Sequence, residues 1–497
     1  MSRPDFPSLL YRDPPTGKPL ALSVFEDLQL TQLIRSDILE AVLIPCGREN
    51  IPLRQELFRA AEKAEFLSHL DALDASLMKT EDLCRAFSEA QSEEETAVIG
   101  TFLLSAALSF MHLAAKEVTY SGGKAKEDEE GFLYCRFRDF FRAELEKEEW
   151  KEAETGLASL LPLLNEIDTY SFRVHGKEIS FRVSGEESYL DRLRACAADL
   201  SLDPPDEPLF LPRQLSPVIL TAFGKAHPEE FGKFRAFYEK NRTLFPEELL
   251  SYRLPIEFIL AFTRLFEKIR SHGIPLTYPT LTSERVIRVT EAYDVSLFAK
   301  NEYDIVPNDI LFTDAEPFCY LTGANGGGKT TYLRTVGISL SLLLLGCPMP
   351  CASAVVCVPS GIFTHFPRDE RFEGTGRFVE ENRRVEKILA EMDADSVVLL
   401  NETYSTTNEE NAVEMTEKLA NLLWDKKIFG LYITHQHSLK ESDIPYLNVL
   451  IDETDSNRRT FKIARQRSTG GSFAVDVLKR YALTPEALEA RFGRGVL

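Results

Sequence analysis

The residues best equipped for chemistry form one run, Gly323-Ala324-Asn325-Gly326-Gly327-Gly328-Lys329-Thr330-Thr331. It satisfies G-x-x-x-x-G-K-[ST] at every fixed position, with an apolar segment before it and an amphipathic one after it. Glycines at these places let consecutive backbone N–H groups turn inward around phosphate oxygens, with no Cβ in the way. A helix starting near Lys329 adds its positive dipole end. The spacing predicts a cradle for nucleotide phosphates. In it Lys329 would reach the β- and γ-phosphates, and the Thr330 hydroxyl would sit on Mg²⁺.

Hydrolysis asks for more: support for the Mg²⁺, a group that orients water, and a sensor of the terminal phosphate. The stretch "SVVLLNE", residues 396 to 402, supplies an apolar strand that ends in Asn401-Glu402. Strands of this kind usually end in Asp-Glu. Here an amide replaces the first carboxylate. Asn401 can hydrogen-bond to a metal-bound water but brings no charge, and losing such support typically costs about 10–100-fold in metal affinity or activity. Glu402 stays placed as the general base, so slow hydrolysis is expected. In "LYITHQH", His435 follows another apolar strand, at the strand end where α/β sites collect ligands, and would face the γ-phosphate. His437 has no evident role.

These groups lie at the ends of separate short apolar runs, so a sheet must gather them. "FCYLTG", "AVVCV", "SVVLL", "FGLYIT" and "NVLI" read as buried strands, and residues 329 to 345 and 409 to 424 as helices between them. That alternation predicts an α/β sheet with crossover helices over residues 291–497. Residues 1–290 read as mostly helical, as in "NIPLRQELFRAAEKAEFLSHLDAL", with apolar positions at helical spacing. Within them, residues 119 to 131 read as an exposed loop rich in glycine and charge. Residues 170 to 185 alternate about His175-Gly176-Lys177 and read as a β-hairpin. No internal repeat is visible.

Composition narrows the function classes. Apolar residues make up 44 % and charged residues 27 % of the 497, the balance of a soluble globular protein. A net charge of -21 argues against a generic nucleic-acid coat and against anionic membranes, while leaving room for a local basic patch. The eight cysteines are scattered, and Cys347, Cys351 and Cys357 fit no zinc spacing, so reduced thiols of a cytosolic protein are expected. The N-terminus shows no apolar secretory segment. Ala97 to Ala115 is long enough for a membrane span, but Thr101, Ser105, Ser109 and His112 form a polar stripe that favours a buried helix in a helical domain.

Taken in order, these motifs resemble the MutS family of DNA mismatch repair ATPases, within the ABC-type P-loop class. "TGANGGGKTTYLR" is similar to that family's TGPNMGGKST-type loop, Asn325 included. "LGCPMPCASA", "SVVLLNE", "LYITHQHSL" and "GGSFAVDVLKRYALTPEALEARF" repeat the family's order, the last resembling its closing helical pair, which packs between subunits. The likeness is strong over about 290 to 497 and weaker in "DLQLTQLI" and "ENIPLRQELF", which resemble the helical core and lever region. The resemblance implies a multidomain α + α/β chain: a helical core and lever region, then a P-loop ABC-type ATPase domain with a C-terminal helical pair. It also implies a form without the mismatch-reading domain and its Phe-x-Glu wedge, since "AFYEK" at 236 to 240 lies in a helical segment.

Two departures stand out. The SGRSTF-like signature loop reads "EGTGRFVEEN": Gly374 aligns, but Gly376 takes the place of the serine expected to touch a partner subunit's γ-phosphate, and Arg377 follows it. The DEIGRGT-like segment reads "NETYSTTN". The expected activity is that of a cytoplasmic, nucleoid-associated homodimer using ATP and Mg²⁺ to clamp double-stranded DNA, mismatched or branched. The alternative is a nucleotide-gated switch with weak or no hydrolysis that engages a protein partner. A chromosome-organising ABC ATPase would need long heptads between the loop and Glu402, and none are visible.

Overall fold

The computed structural model describes residues 6–15, 17–118, 133–167, 170–175, 178–183, 198, 228–323, 325–367, 377–404, 409–434, 443–451 and 459–465. Packing divides the chain into two compact units, Met1–Leu9 with Lys63–Glu257 and Leu10–Glu62 with Phe258–Leu497.

The second unit opens with α1 (Leu22–Asp27), α2 (Ser36–Glu40) and α3 (Gly47–Ala61). The first unit holds α4 (Ala64–Ser88), α5 (Glu93–Ala114), α6 (Leu133–Leu145), α7 (Glu148–Ile167), the strands β1 (Tyr170–His175) and β2 (Glu178–Val183), and α8 (Pro228–Asn241). Helix α5 shows why this sequence folds as it does. Ser92 caps it by accepting from the Glu95 N–H, and Glu95 reaches back to the Gln91 N–H. Glu93, Glu94 and Glu95 complement the positive end of its dipole. The helix is long and apolar enough to cross a membrane, yet 72 % of its most apolar stretch is buried inside the unit. Gly100 marks the crossing of α8, because a Cβ there would lie 2.4 Å from the Tyr238 ring. Strands β1 and β2 pair antiparallel from Tyr170 opposite Val183 to His175 opposite Glu178, the hairpin expected at that place. The "AFYEK" letters lie within α8.

Helix α9 (Arg253–Ser271) contains the division at 257/258. The rest of the second unit runs β3 (Thr280–Leu281), β4 (Val286–Ala292), β5 (Asn308–Thr313), β6 (Phe318–Thr322), α10 (Lys329–Leu344), β7 (Ser353–Val356), β8 (Ile362–His365), α11 (Arg377–Glu391), β9 (Val397–Asn401), α12 (Glu409–Asp425), β10 (Phe429–Ile433), β11 (Tyr446–Ile451) and β12 (Arg459–Arg465). The expected strands and both expected helices are there, except that "AVVCV" forms β7 of a separate sheet and is exposed at alternate residues rather than buried. The change of sequence texture near 290 and the division by packing fall at different places: residues 10–62, the end of α9 and β3 already pack with the second unit.

Two mixed sheets build this unit. One has six strands in the order β12-β11-β6-β10-β9-β8, parallel except for β12. The other, β3-β7-β4-β5, is mostly antiparallel. Strands β6, β9 and β10 are buried at every residue, as expected for parallel strands covered on both faces. Phe318, Tyr320, Val398, Leu400 and Tyr432 face a core shared with Val385 and Ile388 of α11 and Leu419, Ala420 and Leu423 of α12. On the opposite face runs α10, buried nearly all round. Gly337 lets it approach closely, since a Cβ there would sit 2.3 Å from Leu28 and 3.0 Å from Leu399. The closing segment 466–497, with its expected helical pair, lies outside the described residues.

Candidate functional site

The parallel register brings three strand ends together. Leu321 of β6 lies opposite Ile433 of β10, and Ile433 opposite Asn401 of β9. Two further bonds hold the ends in line: the Thr434 N–H donates to the Leu321 carbonyl at 3.3 Å, and the Glu402 N–H to the Ile433 carbonyl at 3.0 Å. The carboxyl edge of the sheet thus carries the glycine-rich loop, Asn401 and Glu402 side by side, the place where open α/β sheets collect ligands.

The loop leaves β6 and enters α10 in under two turns' worth of chain. Gly323, Gly326 and Gly328 adopt φ of 125°, 70° and 94°, a region closed to most side chains. Neighbours press from outside too: a Cβ on Gly323 would lie 2.8 Å from Asn448 Oδ1, and one on Gly328 would lie 3.3 Å from the Phe461 ring. The hairpin of β11 and β12 therefore walls the loop, a role the sequence did not signal. Ala324 lies outside the described residues; Asn325 and Gly326 are exposed and Gly327 is buried. Thr330 and Thr331 occupy the first turn of α10, both half-buried.

Lys329 is buried and folds back over the loop, its Nζ donating to the Gly323 carbonyl at 2.8 Å and to Asn325 Oδ1 at 3.3 Å. Burial pulls its pKa down to about 8; the Glu402 carboxylate opposes the fall, and the Arg459 guanidinium adds to it. The charged lysine thus sits among neutral acceptors, beside one carboxylate and one competing cation. Asn401 is buried, and its Oδ1 finds no donor among the described residues. Thr322 Oγ1 and the Arg459 Nε and Nη1 atoms are likewise buried without a partner among them. Glu402 is half-buried and has φ 52°.

Of the residues singled out in the sequence, the structure brings Lys329, Asn325, Thr330, Asn401 and Glu402 to one edge. His435, Gly374 and Gly376 lie outside the described residues, and Arg377 is the first residue of α11, its side chain outside them. Asn448 and Arg459 join the site from β11 and β12 without any motif to announce them.

A buried cluster of donors and orphaned acceptors beside a glycine cradle is chemically suited to a polyanion with a cation. Glycines leave room for the anion, Lys329 has charge to redirect, and Asn401 Oδ1 and the Thr330 hydroxyl are hard oxygen donors of the type that hold Mg²⁺ or its waters. The residues present fit both groups.

Residues 319–488 match the family model for MutS domain V. The chain is 35 % identical to the DNA mismatch repair protein MutS of Fervidobacterium nodosum over 158 residues, 30 % of this chain and 19 % of that protein. It is 25 % identical over 244 residues to the DNA mismatch repair protein MutS of Lysinibacillus sphaericus, 48 % of this chain and 28 % of that one. It is 24 % identical over 220 residues to Endonuclease MutS2 of Solidesulfovibrio magneticus, 43 % of this chain and 28 % of the relative. The chain spans less than a third of the length of each of these relatives.

Proposed function

We propose that this chain, whose residues 319–488 match the family model for MutS domain V, is a MutS-family ATP-dependent DNA-binding protein. It binds ATP with Mg²⁺ in the loop of residues 323–331, hydrolyses it slowly, and couples occupancy to holding double-stranded DNA as a homodimer. One observation carries the ATP half: buried Lys329 lies folded on the Gly323 carbonyl and Asn325 Oδ1, next to the ends of β9 and β10.

The chain's own groups divide the work. Backbone N–H groups of the loop surround phosphate oxygens, and Lys329 exchanges two neutral acceptors for charged ones. Thr330 and Asn401 would hold Mg²⁺ or its waters, and the metal would supply charge neutralisation at the phosphates. Glu402 takes a proton from an attacking water. His435 faces the terminal phosphate, and Gly374, Gly376 and Arg377 face a partner subunit. Because Asn401 brings no charge, turnover is slow, and Asn401→Asp raises it about tenfold or more at limiting Mg²⁺.

The relatives' printed names, mismatch repair proteins and an endonuclease, support DNA as the macromolecular target, in repair or recombination. With a net charge of -21, the contacts to phosphate must come from a local concentration of lysine and arginine. The neutral Asn401 favours a second reading, a nucleotide switch that engages a protein. Steady-state ATPase and retention of homoduplex, mismatched and branched DNA, each measured for the native chain and Lys329→Ala, separate them. The first reading expects turnover above the variant and retention that weakens from about 50 to 200 mM salt. Turnover equal to the variant's under every condition sinks the enzyme. Turnover or nucleotide binding with no DNA retained leaves the switch.

A further inference from the structure

Just past β9 the chain takes an uncommon path. Glu402 and Tyr404 both have left-handed backbone, φ 52° and 67°, without being glycine. Such residues persist only where their surroundings over-determine them. Between them stands Thr403, which is 3 % exposed and tied on both sides. Its Oγ1 lies 3.0 Å from Nδ1 of His365 at the end of β8, and its carbonyl accepts the Tyr432 hydroxyl of β10 at 2.8 Å. The Tyr432 proton is used there, so its oxygen accepts from the Thr416 hydroxyl of α12 at 3.1 Å. His365 is 1 % exposed, and Thr416 and Tyr432 are fully buried. Groups from three elements, β8, β10 and α12, thus link through the one residue beside Glu402, near the apolar Val398, Leu400 and Leu419.

We propose that the buried chain His365–Thr403–Tyr432–Thr416 is a positioning device that fixes where the Glu402 carboxylate points. Apolar side chains of the same volumes would fill the space as well, but would not choose one backbone path. The hydroxyl bonds do choose: the Glu402 N–H bond to Ile433 holds the peptide before Glu402, and the bonds to the Thr403 side chain and carbonyl hold the residue after it. The proposal rests on the reading of Glu402 as general base for its effect on turnover, but not for its effect on the backbone beside Glu402.

The test uses the full chain without nucleotide. Amide hydrogen exchange of residues 401–404, followed by mass spectrometry, reports whether the backbone beside Glu402 is held. Thr403→Val and Tyr432→Phe are expected to speed exchange there on the order of tenfold or more, and Thr403→Ser to restore the native rate. With ATP present, Thr403→Val and Tyr432→Phe should lose kcat on the order of tenfold to a hundredfold, with KM close to native. The proposal is overturned if the two variants leave exchange at 401–404 at the native rate, or if they speed it while kcat stays native and Glu402→Gln abolishes turnover. If the two variants speed exchange but Glu402→Gln turns over normally, the positioning stands and the general-base reading falls.

Discussion

At the scale of single residues, Lys329 carries a prediction about pH. Burial lowers its pKa to about 8 from an ordinary value near 10.5. In the free protein the ammonium is therefore lost as pH rises through 8, while in the unfolded chain it persists to about 10.5. Between those values the unfolded chain binds more protons, so the cost of the buried charge fades and the free protein gains stability as pH rises. Phosphate binding works against this trend, because an anion favours the charged lysine. Nucleotide affinity should then fall by up to about tenfold per pH unit above 8, as titrated by calorimetry at fixed ionic strength. Lys329→Ala should bind weakly with a flat profile, and a native profile equally flat from pH 7 to 9.5 would show that the lysine does not hold phosphate. Lys329, Asn401 and Glu402 were legible because their chemistry is written in a local order: glycines then lysine, apolar strand then acid. His365, Thr403 and Asn448 were not, because each acquires its role from a strand far off in sequence.

At the scale of elements, four central strands of the six-stranded sheet were readable, and of its companion only β7 was. Strands β6, β9 and β10 are buried at every position, so they appear as unbroken apolar runs bounded by turns. Strands β4 and β5 are exposed at alternate positions, and β3 has two residues, so charge and brevity hid them. Strand β10 also contains a feature that no pattern would flag. Gly430 lies in register between Val398 and Phe318, and the Phe318 ring occupies the space a side chain would need. An added Cβ would stand 2.1 Å from the Val398 carbonyl oxygen and 2.9 Å from that ring. Relief needs the β9–β10 ladder to part, which would displace the ends where Asn401 and Thr434 sit. Gly430→Ala should cost about 3 kcal/mol, read as a lower urea midpoint at unchanged slope, and should weaken nucleotide binding. A variant with the native midpoint would mean that the ladder shifts freely. The buried end of α10 gives a milder case. Arg54 donates to the Leu345 carbonyl at 3.0 Å, and Gly346, at φ 72°, leaves room for its stem.

At the scale of the molecule, two compact units share one chain, and each has its own buried core. Aromatic packing of Phe110, Phe137, Phe141 and Tyr252 belongs to the first, and the sheet cluster around Phe318 and Tyr432 to the second. Units of this kind unfold cooperatively within themselves, so scanning calorimetry of the free protein should resolve two transitions. Every residue of the proposed nucleotide site belongs to the second unit. A ligand that binds only the folded form stabilises it by about 2.7 kcal/mol at a hundredfold excess over Kd. ATP with Mg²⁺ should therefore raise one transition by several degrees and move the other less, and Lys329→Ala should abolish the difference. The smaller shift has its own meaning, since the division falls inside α9, a continuous helix. Whatever stabilisation reaches the first unit measures the free energy by which occupancy of the loop is felt outside its own unit. A single transition that nucleotide moves as a whole would show the two units to be one cooperative body. Two transitions, of which nucleotide moves neither, would remove the loop from consideration as a binding site.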